Sequence, residues 1–124
     1  MKNIFIPRNI EGRERKIKQM MIKQLDQKII NGDVGIDCKF ISKNYIAKIE
    51  KINGNLYLKN CDSLLFLKNL KEVNGEVNCG ASYLTTLEGC PKIVNGDFWC
   101  QCNKTRFKLK VVEQYCNVKG RIYA

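Results

Sequence analysis

Histidine is absent from this sequence of 124 residues, and proline occurs only twice. Without an imidazole, the Ser–His and Cys–His nucleophile pairs are excluded, as are metal sites that need a histidine ligand. The sequence also has no phosphate-binding loop, no nucleophile elbow and no pair of carboxylates at a spacing typical of an active site, so we expect no enzymatic activity. Apolar runs are only a few residues long, which predicts no membrane-spanning helix and no role at a membrane. The N-terminal segment turns polar too soon for the apolar core of a signal peptide.

Seven cysteines occur in this chain without a secretory signal, and their number is odd. That combination indicates reduced thiols and a cytoplasmic protein. Zinc sites usually contain paired Cys-x-x-Cys knuckles, which the sequence lacks. We therefore expect the cysteines to pack in the core as small apolar side chains, with no disulfide, no zinc ion and no cofactor.

Acidic residues are fewer than basic ones: the chain has 12 Asp and Glu and 22 Lys and Arg, which gives a formal net charge of +10. Such a charge speeds association with acidic partners, including nucleic acid and acidic protein surfaces. Apolar residues make up 44% of the chain, which favours a folded protein over a disordered one. The length fits a single domain over residues 1–124, which we divide into an N-terminal helical cap (1–30) and a repeat region (31–124).

The repeat region has a period of about 21 residues. The dipeptide Asn-Gly recurs at 31–32, 53–54, 74–75 and 95–96, and Lys-Gly follows at 119–120. Apolar residues stand three positions after the start of each dipeptide: Val34, Leu56, Val77, Phe98 and Ile122. Another apolar set directly precedes the dipeptides: Ile30, Ile52, Val73, Val94 and Val118. Asn-Gly supplies positive φ at a turn, and the alternation that follows it predicts one short strand per repeat.

One strand in each period predicts a solenoid whose coils pair their strands in parallel. We expect strands near 34–36, 56–58, 77–79, 98–100 and 121–123. The usual crossover rule makes the winding right-handed. The fold class is therefore α/β, with an N-terminal amphipathic helix capping a short right-handed parallel β-solenoid of about four and a half coils.

Two segments of the third repeat, Leu70 to Cys79 and Tyr83 to Pro91, resemble short, degenerate leucine-rich repeats. The residues V-N-G-D-F-W-C, which end at Cys100, and the following Asn103 are similar to repeats of small proteins encoded by tailed bacteriophages. The resemblance implies a scaffold that binds protein and has no catalytic residues. A phage-encoded protein of this kind implies a partner in the host bacterial cytoplasm, for example a defence or transcription component.

Residues 11–30 predict one amphipathic helix, with Asn9 as its N-cap and Gly32 as its stop. The apolar residues fall close to the 3.6-residue period: Ile17, Met20, Met21, Leu25, Ile29 and Ile30. We expect this face to cover the end of the first coil.

The best candidate for a binding surface is a row of aromatic residues that the register directs outward. Tyr57 and Trp99 stand at equivalent positions between inward residues, and Tyr123 repeats the register. Large rings on a solvent-facing sheet cost free energy unless something covers them. With Lys59 and Gln101 beside them, they predict an interface with a host protein that presents an acidic surface.

Nucleic-acid binding is the alternative function, since basic residues cluster in two parts of the chain. One group lies on the polar face of the N-terminal helix: Arg13, Lys16 and Lys23. The other alternates with Thr105, Phe107 and Leu109, which predicts a strand with four cations on one face: Lys104, Arg106, Lys108 and Lys110.

The segment Arg121–Ala124 predicts an edge strand whose backbone groups lack partners. A homodimer through two such edges would satisfy them, and so would a strand from the partner protein. A short cap formed by residues 109–117 is a third way to cover this end.

Overall fold

The computed structural model describes residues 10–124 of the chain, and its first element is helix α1 (Ile10–Leu25). Ten short strands follow: β1 (Ile29–Asn31), β2 (Val34–Asp37), β3 (Lys51–Asn53), β4 (Leu56–Lys59), β5 (Glu72–Val73), β6 (Val77–Asn78), β7 (Ile93–Val94), β8 (Phe98–Trp99), β9 (Asn117–Val118) and β10 (Ile122–Tyr123). A second helix, α2 (Leu109–Tyr115), stands between β8 and β9. Two 3₁₀ turns, Cys38–Phe40 and Leu65–Leu67, complete the described elements. Neither helix in residues 10–124 has the length and hydropathy needed to cross a bilayer.

The strands form two parallel sheets of five strands each. The odd sheet has the order β1-β3-β5-β7-β9, and the even sheet has the order β10-β8-β6-β4-β2. Every pairing in both sheets is parallel. The mixed α/β class and the parallel pairing between successive repeats are thus confirmed, and the even strands lie where the alternation predicts them.

The expectation of one strand per repeat is wrong, because each repeat contributes one strand to each sheet. Residues directly before the dipeptide form the odd strands, and the dipeptide joins them to the even strands. The odd strands are only two or three residues long, and most have one buried residue, such as Ile52 in β3 and Val73 in β5. With one buried residue in most of these strands, the sequence shows no run of alternating apolar and polar residues that would mark them as strands.

The glycines of the dipeptides are needed mainly because the backbones of neighbouring turns lie close together, and less because of their own φ angles. Among the glycines of the five dipeptides, only Gly32 has a positive φ, at 135°. A Cβ added to Gly96 would lie 2.7 Å from the carbonyl carbon of Gly75, and one added to Gly120 would lie 2.6 Å from the carbonyl oxygen of Gly96. Stacked turns therefore bring backbone against backbone where a side chain has no room.

The asparagines of the dipeptides form a side-chain ladder across the turns. The Nδ2 group of Asn53 donates to Oδ1 of Asn31 at 2.7 Å, and that of Asn95 donates to Oδ1 of Asn74 at 2.7 Å. Between them, Asn74 donates to Asn53 at 2.5 Å. Each such bond contributes about 0.5–1.5 kcal/mol, with exposed bonds at the lower end.

The core lies between the two sheets. Rows of buried side chains come from both: Val34, Leu56, Val77 and Phe98 from the even sheet, and Ile30, Ile52, Val73 and Val94 from the odd sheet. The segments that return from the even to the odd sheet add buried leucines, including Leu64, Leu70 and Leu87. Burial of these apolar side chains supplies most of the stabilisation.

Helix α1 ends at Leu25, five residues earlier than the sequence predicts. Ile29 and Ile30 instead belong to β1, where Ile30 is buried opposite Ile52 of β3 and Ile29 is exposed. Pairing with β3 satisfies the backbone of β1 and buries Ile30 in the core. Gly32 lies in the turn after β1 and is no helix stop. The expected N-cap, Asn9, lies outside the described residues.

The expected apolar face of the helix is only partly used. Met21 and Leu25 join the core, whereas Ile17 is 42% exposed and Met20 is 64% exposed. The carbonyl oxygen of Leu25 accepts a hydrogen bond from the backbone N–H of Lys48 at 3.2 Å. The last turns of α1 are therefore the part that covers the core.

The strand expected over residues 104–110 is also wrong. Residues 104–108 form an irregular segment, and α2 begins at Leu109. Phe107 is buried in the core, but Leu109 is 55% exposed, so the apolar residues of the segment do not share one face. Helix α2 buries Val112, as a short cap over residues 109–117 would.

A disulfide joins Cys38 and Cys61, with their Cα atoms 5.0 Å apart. This contradicts the expectation that every cysteine is reduced. Asn60, which directly precedes Cys61, has a left-handed φ of 56°, and Cys61 is buried. Of the free cysteines, Cys79, Cys90, Cys100 and Cys116 are buried as expected, whereas Cys102 is exposed.

Candidate protein-binding face

The exposed face of the even sheet carries one residue from each strand in register. This outer row consists of Gly35, Tyr57, Asn78, Trp99 and Tyr123. Alternation along each strand explains it, because the flanking residues, such as Leu56 and Leu58 beside Tyr57, point into the core. The repeat register predicts the three aromatic members, and the structure brings all of them to one face.

Trp99 and Tyr123 stack on each other at one end of the outer row. Their ring centroids are 3.7 Å apart, and the ring planes differ by 10°. Neighbouring strands are about 4.8 Å apart, so the two rings lean toward each other. Both side chains are half-buried, and Tyr57, which has no aromatic neighbour in the row, is 40% exposed.

A second line of residues runs beside the outer row, and we call it the polar row. It consists of Asp37, Lys59, Gly80 and Gln101. Asp37 and Lys59 are register partners on β2 and β4. The Asp37 carboxylate accepts from Nδ2 of Asn60 at 3.0 Å and lies 3.9 Å from Nζ of Lys39. Lys59 has no ion pair among the described residues, so its charge is available to a partner.

The two rows border a sheet groove of about 360 Å³. Its lining residues are Gly35, Ile36, Asp37, Tyr57, Leu58, Lys59, Asn78 and Gly80. A Cβ added to Gly35 would meet no atom within 4 Å, which shows how open this end of the groove is. The groove thus offers an aromatic ring, a cation, a carboxylate and an exposed backbone floor within one depression.

Asn78 is the functional candidate that the sequence analysis did not select. Its Oδ1 accepts a hydrogen bond from the backbone N–H of Gly80 at 3.0 Å. Its Nδ2 has no hydrogen-bond partner among the described residues and remains a donor at the groove. The signal was present in the sequence, because Asn78 stands between Tyr57 and Trp99 in the register, but only the aromatic positions were given a binding role.

Polar side chains behind the face hold the ends of the even strands. The Nδ2 of Asn103 donates to the carbonyl oxygens of Cys79 at 2.9 Å and Cys100 at 3.1 Å, and its Oδ1 accepts from Leu84 N–H at 3.0 Å. One repeat earlier, Ser82 Oγ accepts from the backbone N–H of Cys61 at 3.2 Å. These bonds fix the backbone on which the outer row stands.

The thiols of Cys79 and Cys100, which are buried behind the face, are poor nucleophiles at neutral pH. Burial raises the pKa of the Cys100 thiol to about 11, and it raises the pKa of Cys79 further. A hydrogen bond joins Cys90 and Cys116, which raises the pKa of Cys90 and lowers that of Cys116. In residues 10–124, no three Cys, Asp or Glu side chains are grouped so as to hold a metal ion.

The two groups of basic residues lie at opposite edges of the molecule. Arg13, Lys16 and Lys23 are on α1, which contacts the 3₁₀ turn that follows edge strand β2. The residues Lys104, Arg106, Lys108 and Lys110 precede and begin α2, which contacts edge strand β9. Edge strands of a five-stranded sheet are about 19 Å apart, from four spacings of about 4.8 Å. The structure does not bring the two groups together.

No family model matches the chain, and comparison with curated proteins and with solved structures gives no significant match.

Proposed function

We propose that this protein is a non-enzymatic scaffold that binds another protein through the exposed face of its even sheet. The observation that carries the proposal is the outer row, in which the stacked Trp99 and Tyr123 share a face with Tyr57. Aromatic anchors beside polar groups are typical of interface hot spots. Tyr and Trp also contribute contact area with little loss of side-chain entropy.

The repeat architecture supports a scaffold role. We interpret the two strands per repeat and the turn ladder as a right-handed, leucine-rich-repeat-like solenoid, in agreement with the resemblance of the third repeat. Solenoids present extended surfaces on a repeating framework, and their surface residues vary while the core is kept. The buried rows from Val34 to Phe98 form such a core, and the residue type of the outer row changes from repeat to repeat.

The partner we propose is a bacterial host protein with an acidic surface, met in the host cytoplasm. The net charge of +10 favours such a partner. Lys59, which lies in the groove without an ion pair in the described chain, supplies a local contact for a carboxylate. The phage origin and the identity of a defence or transcription component follow from the resemblance alone.

The edge strand β10 supports a second contact. It pairs with β8 on one side, and residues 10–124 place no strand on its other side. Pairing with β10 of a second copy would form a homodimer and would place two Trp99–Tyr123 stacks near its axis. A strand from the partner protein would occupy the same edge.

Nucleic-acid binding remains a second candidate function, but it has less support as a function that uses both basic groups. A strand that reached both basic groups would have to span the two edges, across the distance between β2 and β10. Protein binding needs only the single face that holds Tyr57, Trp99 and Tyr123.

Affinity capture from bacterial lysate, with and without nuclease treatment, tests the proposal. We expect a nuclease-resistant protein that the double variant Tyr57→Ala/Trp99→Ala loses and that Tyr83→Ala retains. Tyr83 is the matched control because it is 49% exposed and lies outside the outer row. Capture that disappears with nuclease, or that both variants retain, would contradict the proposal.

A further inference from the structure

A separate pocket of about 350 Å³ lies between residues 85–87 and the segment that leads into α2. We call it the α2 pocket. Its floor is apolar, because Leu87 and Phe107 both line it and both are buried in the core. The volume lies within the usual range of small-molecule sites. Nothing in the outer row or the sheet groove contributes to it.

One wall of the α2 pocket is the helix itself. Val111 and Tyr115 are four residues apart on α2 and therefore share a face, which they turn toward the pocket. Tyr115 is 40% exposed, so part of its ring is open to a ligand. A planar apolar group can pack against such a ring.

The opposite wall is polar and carries positive charge. Arg106 and Lys108 line the pocket together with three threonines, Thr85, Thr86 and Thr105. Among the described residues, neither cation is paired with a carboxylate. Guanidinium, ammonium and hydroxyl groups are the donors that proteins direct at phosphate.

Carboxylates are missing from the lining of the α2 pocket. The helix has one acid, Glu113, which is two residues from both Val111 and Tyr115 and therefore points to the other side. Glu88 follows the lining residue Leu87 in the chain but does not line the pocket. An anion would thus meet positive charge without local repulsion.

Backbone hydrogen bonds hold the polar wall in place. The N–H of Thr105 donates to the carbonyl oxygen of Leu84 at 3.2 Å, which ties the segment to the preceding repeat. The carbonyl oxygen of Lys108 accepts from Val111 N–H at 2.9 Å. Phe107 stands between Arg106 and Lys108 in the sequence, and its burial fixes the backbone that carries both cations. The pocket is therefore formed before any ligand arrives.

We propose that the α2 pocket binds a nucleoside phosphate, with the phosphate on Arg106, Lys108 and Thr105 and the base against the ring of Tyr115. The apolar floor and the aromatic wall suit a planar base, and the basic wall suits its phosphate. This site is independent of the protein-binding face. It uses the second basic group of the sequence alone and does not require the cations of α1.

Calorimetric titration with adenosine 5′-monophosphate tests the site. We expect saturable one-to-one binding, weakened about tenfold or more in Arg106→Gln/Lys108→Gln, because each cation provides charge-assisted hydrogen bonds. The matched control is Lys104→Gln/Lys110→Gln, which removes the same charge from exposed neighbours that do not line the pocket. The control should bind within about twofold of the unmodified protein, since both side chains are exposed and make no direct contact with a ligand in the pocket, so salt screens their charge. Circular dichroism checks that each variant is folded.

Several results would overturn the proposal. Absence of saturable binding, or equal weakening in the two charge variants, would reduce the pocket to a diffuse basic surface. Equal affinity for inorganic phosphate, with no effect of Tyr115→Ala on the binding of adenosine monophosphate, would refute the role of the base. A parallel titration with a short single-stranded oligonucleotide tests whether the ligand is a free nucleotide or part of a nucleic-acid strand. Tighter binding of the oligonucleotide than of adenosine monophosphate would overturn the proposal in favour of a nucleic-acid strand, and equal or weaker binding supports a free nucleotide as the ligand.

Discussion

Trp99 and Tyr123 lie one repeat apart in the chain, and their rings stack at 3.7 Å on neighbouring parallel strands. The stack follows from the register, since Tyr123 is paired with Trp99 as Ile122 is paired with Phe98. Ile122 and Phe98 turn inward, so the two rings must turn outward. Each ring covers part of the other, which lowers the cost of exposing them but leaves a flat surface for a partner.

Replacement of Trp99 by Ala should weaken partner binding more than it weakens the fold. Trp99 is half-buried, and loss of its stack should lower the free energy of unfolding by about 1–2 kcal/mol. Its neighbour Phe98 is fully buried, and Phe98→Ala should cost about 3–5 kcal/mol. Urea unfolding of both variants measures the difference. Equal losses in the two would show that the indole belongs to the core.

Reduction of the Cys38–Cys61 bond should destabilise the first two repeats. The bond closes a loop of 23 residues, for which we expect a loss of about 3 kcal/mol. Alkylation of the denatured protein should label five thiols before reduction and seven after it, because five cysteines are free. Seven labelled thiols without a reductant would refute the bond. Unfolding with and without dithiothreitol measures its contribution.

Two glycine-to-alanine substitutions should differ strongly in their effect on stability. Gly96→Ala places a methyl group against the backbone of Gly75, so stacked turns must separate and stability should fall by about 2 kcal/mol or more. Gly35→Ala enters open space and should change stability by less than about 1 kcal/mol. Thermal unfolding compares them. Similar melting temperatures for the two variants would mean that the turns do not stack closely.

Alkaline pH should destabilise the protein partly through its buried thiols. The folded-state pKa of Cys100 is raised from 9.0 to about 11, so the stability linked to it is fully present below pH 9 and is lost as pH rises through 11. At pH 10 the loss should be about 1 kcal/mol. Unfolding free energies from pH 8 to 11 should therefore fall less steeply in Cys100→Ala. Identical slopes would place the thiol in contact with water.

The even strands and the outward direction of Tyr57 and Trp99 were predictable, because a buried apolar residue stands on each side of these rings in the sequence, as Leu56 and Leu58 do beside Tyr57. The odd strands were not, since the single buried residues Val73 of β5 and Val94 of β7 have no second apolar residue two positions away that would mark a strand. Their stability comes from stacking on neighbouring repeats rather than from local preference. The end of α1 was missed for the same reason, because the pairing of Ile30 with Ile52 is a tertiary contact.

Contacts between repeats explain what else the sequence concealed. Cys38 stands seven residues after Asn31 and Cys61 eight after Asn53, so the repeat alignment does not pair them. Their pairing is a tertiary contact between neighbouring repeats, in which the two Cα atoms lie 5.0 Å apart. Similarly, the α2 pocket combines Thr85 and Thr105 from different repeats with Tyr115 of α2, which no spacing within one motif indicates.

Photo-crosslinking from the outer row tests the central claim most directly. A photoreactive phenylalanine analogue replaces Tyr57 in one protein and Tyr83 in the other, both exposed positions in the folded chain. Irradiation in nuclease-treated bacterial lysate should give a discrete protein adduct from position 57, which excess unlabelled protein suppresses, and none from position 83. Equal labelling from both positions, or labelling from position 83 alone, would contradict a binding role for the exposed face of the even sheet.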